Sequence, residues 1–228
     1  MSNQVAPWQP IYQQLFLCLL FLCIFSGIPE AVSIDSDDDL LESVYGADVP
    51  NSPAAALVHY RNKHCDSNKP SQLFRLSRLD GEKDLRREIF GLYKNPKTVL
   101  RATPRVRFDE EDAVGDGPVR EFLTQAIKVA EEGFPSSGAG KPIAFFEGEP
   151  DHRIPVHDSA LRLTGSFKAV GRIIGHSVLH GGPGLTGLSP AIKHYLSHAP
   201  DNQEPHPLTL EDIPDIDLRS LITEVSLK

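Results

Sequence analysis

Basic side chains are missing from the first quarter of this chain: residues 1–60 hold no lysine or arginine and seven acids. A secretory signal carries a positive stretch ahead of its apolar run, and that absence counts against one here. Cysteine is scarce, with only Cys18, Cys23 and Cys65. Two of the three sit within one apolar run, so there is no disulfide framework, and the usage fits a reducing compartment. The apolar run Leu15 to Phe25 has eleven residues. A bilayer span needs about twenty, so no stable membrane span is expected. There is no G-x-S-x-G elbow and no Walker loop, which removes two common catalytic frameworks. The net charge of -8 argues against a general nucleic-acid binder, which needs a basic field.

What is present suits one good-sized domain with tails. Of the 228 residues, 40% are apolar and 24% charged, ordinary values for a soluble globular protein. The 19 prolines and 17 glycines predict frequent irregular connections. Charge comes in blocks of -7 over residues 1–60, +8 over Arg61 to Arg107, and -9 from Phe108 onward. Such blocks point to segments with different jobs. The basic middle reads as a solvated helical face rather than a polyanion site.

Residues 1–29 form an apolar N-terminal segment, and residues 30–70 an acidic tail and linker; this region is expected to be largely disordered. Leu15 to Phe25 has the length of a signal h-region, with "FSG" after it as a small-residue cleavage site. A buried helix or a misassigned first exon explains the run equally. Next comes "AVSIDSDDDLL". Val32 and Ile34 form a β-prone apolar pair, trailed by Asp35, Asp37, Asp38 and Asp39. Such a segment can add to a sheet edge while its acids meet a basic rim. It resembles a SUMO-interacting motif; a plain disordered acidic tail is the competing reading. The signal and SUMO readings exclude each other, because SUMO is not extracellular. His59, His64 and Cys65 lie in the linker without a second ligand pair, so no metal site is expected.

From Ser71 the pattern changes, and residues 71–228 read as the globular part. Leu85, Ile89 and Leu92 stand at helical spacing, with Pro96 beyond. "PRVRF", Pro104 to Phe108, alternates like a strand. In "EDAVGDGPVREFL", Gly115 and Gly117 permit positive φ, Asp116 can cap a helix, and Pro118 fits its first turn. Val119, Phe122, Leu123, Ala126, Ile127 and Ala130 then mark one apolar face. "PIAFFEG" and "HRIPV" predict a hairpin across "GEPD".

A helix follows, with Thr164 or Ser166 as cap, and with Phe167, Val170, Ile174 and Val178 on one face. Gly171 and Gly175 lie four apart, which suits close approach of another helix. Ser189 and Pro190 open a further helix, with Ile192, Tyr195 and Leu196 as its apolar side. Thr209 with Asp212 resembles a capping box. Leu218, Leu221, Ile222 and Val225 form a last amphipathic face.

Two histidine pairs, His176 with His180 and His194 with His198, have zinc-like i, i+4 spacing. The first histidine of each is followed by Ser177 or Tyr195 rather than by the glutamate of a metalloprotease. They read as structural, and neither a metal nor any other cofactor is expected.

"RVRFDEEDAVGDGPVREFL", "FKAVGRIIGHSVLHGGPGLTGLSPAIKHYL" and "LTLEDIPDIDLRSLITEV" together resemble the HECT domain of ubiquitin ligases. The matching positions are Arg107, Phe108, Gly115, Gly117, Val119, Arg120, Glu121 and Phe122, then Phe167, Gly171, Ile174 and Gly175, then Leu210, Glu211, Asp212 and Ile213. The wording is most similar to the G2/M-phase-specific subgroup, over residues 80 to 228. The resemblance implies an α+β, helix-dominated partial N-terminal lobe with short strands, in which Gly115, Gly117, Arg120, Glu121, Phe122, Gly171 and Gly175 are scaffold.

HECT ligases take ubiquitin onto a cysteine in a later lobe, since a thiolate both attacks and leaves well. No cysteine follows Cys65, so no catalytic residue carries over and the chain reads as truncated within the lobe. The expected partners are ubiquitin-pathway proteins or SUMO, in the cytoplasm or nucleus. The secretory pathway is the alternative if Leu15 to Phe25 is a signal.

Overall fold

Two short alternating segments seed the fold. Gln72–Leu76 (β1) and Pro104–Phe108 (β2) each turn one set of side chains inward, and they pair in parallel with Phe74 opposite Val106 and Leu76 opposite Phe108. Parallel pairing requires a crossover, and helix α2, Glu82–Lys94, supplies it. The computed structural model describes residues 53–65, 70–79, 81–109, 111, 113–136, 141–197 and 207–226. The run Leu15 to Phe25, the segment Val32 to Asp39, and His198 lie outside these. Among the described residues no helix is long and apolar enough to cross a membrane.

Helix α1, Pro53–His64, precedes the sheet, and its Tyr60 packs with Leu179 and Cys65. After β2 come α3, Asp116–Glu132, and an antiparallel hairpin of β3, Phe146–Glu149, and β4, His152–Pro155. Four further helices follow: α4, Ser159–Leu163, α5, Ser166–Leu179, α6, Pro190–Ser197, and α7, Ile216–Ser226. A 3-10 turn, Leu210–Asp212, sits before α7. The α+β class is therefore observed, with helices dominant and strands short.

The core lies where α2, α3 and α5 meet beneath β1 and β2. Helix α5 is its centre, with Ala169, Val170, Gly171, Ile173, Ile174, Gly175 and Leu179 buried around more than one face. The sequence predicts one apolar stripe there. Instead α5 meets α2, α3 and α4, and a helix enclosed on several sides loses its polar face. Phe74 stacks on Phe122 with ring centroids 4.9 Å apart. Burying an aromatic ring of this kind contributes about 2–3 kcal/mol.

Several local expectations change in the folded chain. Only Gly115 of the motif glycines has positive φ (99°); Gly117 is helical. Gly115 is the N-cap of α3 and no side chain caps that helix, so Asp116 stands within its first turn. Gly165, with φ 69°, is the N-cap of α5, because Thr164 already closes α4. Thr164 Oγ1 does lie 2.9 Å from Ser166 Oγ. Strand β1 and helix α4 are elements the sequence pattern does not announce.

Candidate functional site

Polar side chains gather in three clusters. The first surrounds the turn before α3. Arg78 lies flat over Phe108, 3.7 Å from the ring centroid. Its Nη1 donates to Glu111 Oε1 at 2.6 Å. Its Nη2 sits 2.5 Å from Glu121 Oε1, yet it lacks a well-angled hydrogen bond, so that contact is one of charge. Arg78 thus ties the end of β1 to the start of α3. Of the scaffold residues, Glu121 joins this tie, Phe122 enters the core, and Arg120 stays exposed.

The second cluster is buried. Tyr93 and His176 join through a 2.7 Å hydrogen bond between the phenol and Nδ1. Both are fully enclosed, and His176 Nε2 has no partner. Burial, with His180 and Arg172 nearby, pushes the His176 pKa well below its ordinary value. Burial also lowers that of His180, and the carbonyl of Leu100, bonded to its Nε2 at 2.8 Å, offsets only part of this. Burial raises the Tyr93 phenol. A phenol and an imidazole held neutral in an apolar core serve packing, consistent with reading His176 and His180 as structural. Gly171 and Gly175 are buried on the same helix, so this core joins the turn-and-helix motif to the glycine helix.

The third cluster holds the end of the described chain to the hairpin. His152 Nε2 lies 2.8 Å from Asp212 Oδ1, and both side chains are nearly enclosed. Asp212 Oδ2 accepts from the Thr209 amide at 2.8 Å and its hydroxyl at 3.2 Å, so the expected capping box forms, on a 3-10 turn. Burial acts to raise the Asp212 pKa, but bonds from Thr209, His152 and Ser189 outweigh it and hold the carboxyl below its usual range. Arg219 adds an ion pair to Glu149 at 3.1 Å and a bond to the Ile213 carbonyl. The Ser189 hydroxyl accepts from the Ile192 amide at 3.3 Å.

Burial raises the Cys65 thiol pKa, with Arg61 and Arg101 offsetting only part of the effect. Among the described residues no group of three or more His, Cys, Asp or Glu could hold a metal ion.

Sequence reasoning missed His152 as a partner of Asp212, since sixty positions separate them. It also missed the outer face of the β1–β2 sheet. There Arg75, Arg105 and Arg107 are exposed while their neighbours in the strands are buried. The signal was present: β2 places arginine at alternate positions, and β1 holds Arg75 between two buried residues. Only the pairing register brings the two sets together.

Comparison with protein-family models, with curated proteins and with solved structures found no match.

Proposed function

We propose that this chain is a HECT-type ubiquitin-ligase family member that acts in the ubiquitin-transfer pathway without forming a ubiquitin thioester on its own residues. The supporting observation is the order of three motifs together with the work their residues do. Phe108 and Phe122 are buried, as are Gly171, Ile174 and Gly175, and Asp212 anchors the Leu210–Ile213 step to the hairpin.

The thioester is assigned elsewhere because Cys65 precedes the resemblance and its raised pKa disfavours the attacking thiolate. The test is incubation of the full chain with activating enzyme, conjugating enzymes, ATP and labelled ubiquitin. The expected result is no thiol-reducible ubiquitin adduct on this chain, with co-purification of ubiquitin or a conjugating enzyme. A Cys65-dependent adduct overturns the non-catalytic assignment; failure to bind any pathway protein overturns the family reading.

A second reading is an interaction module that binds SUMO through Val32, Ile34 and the acids Asp35, Asp37, Asp38 and Asp39. Its support is the apolar pair followed at once by acids. The V32A/I34A double variant should abolish SUMO binding, and undiminished binding sinks this reading.

A further inference from the structure

The β1–β2 register places Arg75 directly beside Arg107, and Leu73 beside Arg105. Phe74, Leu76, Val106 and Phe108 fill the inner face, so three arginines and the half-exposed Leu73 share the outer one. Paired strands lie about 4.8 Å apart and alternate residues about 6.6 Å apart, which crowds these cations. Like charges directly opposite one another destabilise a sheet. Five arginines elsewhere in the fold carry ion pairs, Arg78 with Glu111 and Glu121, Arg86 with Glu82 and Glu132, Arg87 with Asp84, Arg153 with Glu131 and Arg219 with Glu149, while the other unpaired arginines are not gathered on one face of a sheet. Among the described residues Arg75, Arg105 and Arg107 have no ion pair within 4.0 Å, and Asp109 at the end of β2 forms none with them.

We infer that this face is the docking surface of the chain's own acidic segment, Asp35 to Glu42. Charge complementarity carries the choice. The first sixty residues contain acids and no lysine or arginine, and five of their seven acids fall in this segment. Asp35, Asp37 and Asp39 alternate, so an extended segment repeats them at about 6.6 Å, the spacing of Arg105 and Arg107.

The tether reaches. Helix α1 is anchored beside the turn that leads into β2: His180 bonds the Leu100 carbonyl, Tyr60 packs on Leu179, and Arg101 acts on Cys65. The residues between Glu42 and Pro53 span up to about 35 Å, against about 18 Å for the length of α1. A tethered segment acts at roughly millimolar effective concentration, ahead of most free acidic peptides. The acids so engaged are those the SUMO reading would use, so docking would hold them back until a partner competes. The inference does not rest on the HECT reading.

The experiment uses isotope-labelled full chain and a synthetic peptide of residues 30–45. Replacing Asp35, Asp37, Asp38 and Asp39 with Asn should shift the amide resonances of residues 73–75 and 105–107. It should also let the peptide bind that face at least roughly tenfold more tightly than it binds the native chain. R105E/R107E should abolish peptide binding with the fold intact by circular dichroism, and D37R/D39R in the same chain should restore the docked resonances. Unmoved resonances overturn the inference. So does equal peptide binding to native and Asn chains, which would make the face a site for a separate acidic partner. Equal binding of single-stranded DNA to both would make it a nucleic-acid surface and overturn it too.

Discussion

His176 sits among Phe74, Tyr93 and Phe122, and among the described residues its ring bonds only the Tyr93 phenol. Its pKa lies well below 6.5 in the folded chain, and that of His180 is also lowered. In the unfolded chain both take up protons near 6.5. Below that pH the unfolded state binds more protons, so stability falls as pH falls toward the folded values and is fully present above 6.5. Urea midpoints should therefore drop between neutral pH and pH 5, and H176Q should flatten that slope. An unchanged slope would place His176 in contact with water. Y93F should cost about 1–3 kcal/mol, since it leaves a buried imidazole nitrogen without a partner.

Asp212 acts in a different pH range. Its folded pKa is below 3.8, so its contribution is complete above that value and is lost as pH falls through the folded pKa. D212A should remove the acceptor for His152 and Thr209 together and cost about 2–3 kcal/mol. Amide exchange at residues 207–226 should rise more than exchange at α2 or α3. Uniform acceleration across the chain would show that the clamp supports the whole core rather than its end.

Among the elements, α3 shows how much one glycine decides. Gly115 has φ 99° and ψ -149° at the N-cap, and Gly117 lies in the first helical turn with open space around it. G115A should cost about 1–3 kcal/mol, because that backbone region is nearly closed to other residues. G117A should be neutral or stabilising by up to about 1 kcal/mol, since alanine is the better helix former. In thermal melts G115A should lower the midpoint and G117A should not. Equal losses would mean that both glycines serve space rather than backbone shape.

The α3 stripe was legible because Phe122, Leu123, Ala126, Ile127 and Ala130 repeat at helical spacing. The strand Pro104–Phe108 was legible because its alternation matches burial at every position. Strand β1 was not. "QLFRL" is short, and it is a strand only because β2 pairs with it. Phe90 and Tyr93 escaped a stripe drawn through Leu85, Ile89 and Leu92, because α5 packs against a wider arc of α2 than that stripe covers. The His152–Asp212 clamp is a tertiary contact with no local pattern to reveal it.

At the scale of the molecule, burial is uneven. The core around α5 is closed, while α7 leaves Leu218, Leu221 and Val225 between 45% and 72% exposed. The sequence predicts an apolar face of Leu218, Leu221, Ile222 and Val225 on this helix; Ile222 is half-buried and the other three are exposed. Arg219 holds the helix through Glu149 and backbone carbonyls, so α7 keeps its place without apolar packing on that side. An apolar stripe of this kind promotes association in water, because burying it is favourable at about 25 cal/mol per Å². L221E/V225E should therefore lower self-association of the purified chain in sedimentation velocity at high concentration. Its effect on stability should stay within about 0.5 kcal/mol, as exposed substitutions do. A loss of several kcal/mol would mean that these side chains are covered in solution and belong to the core.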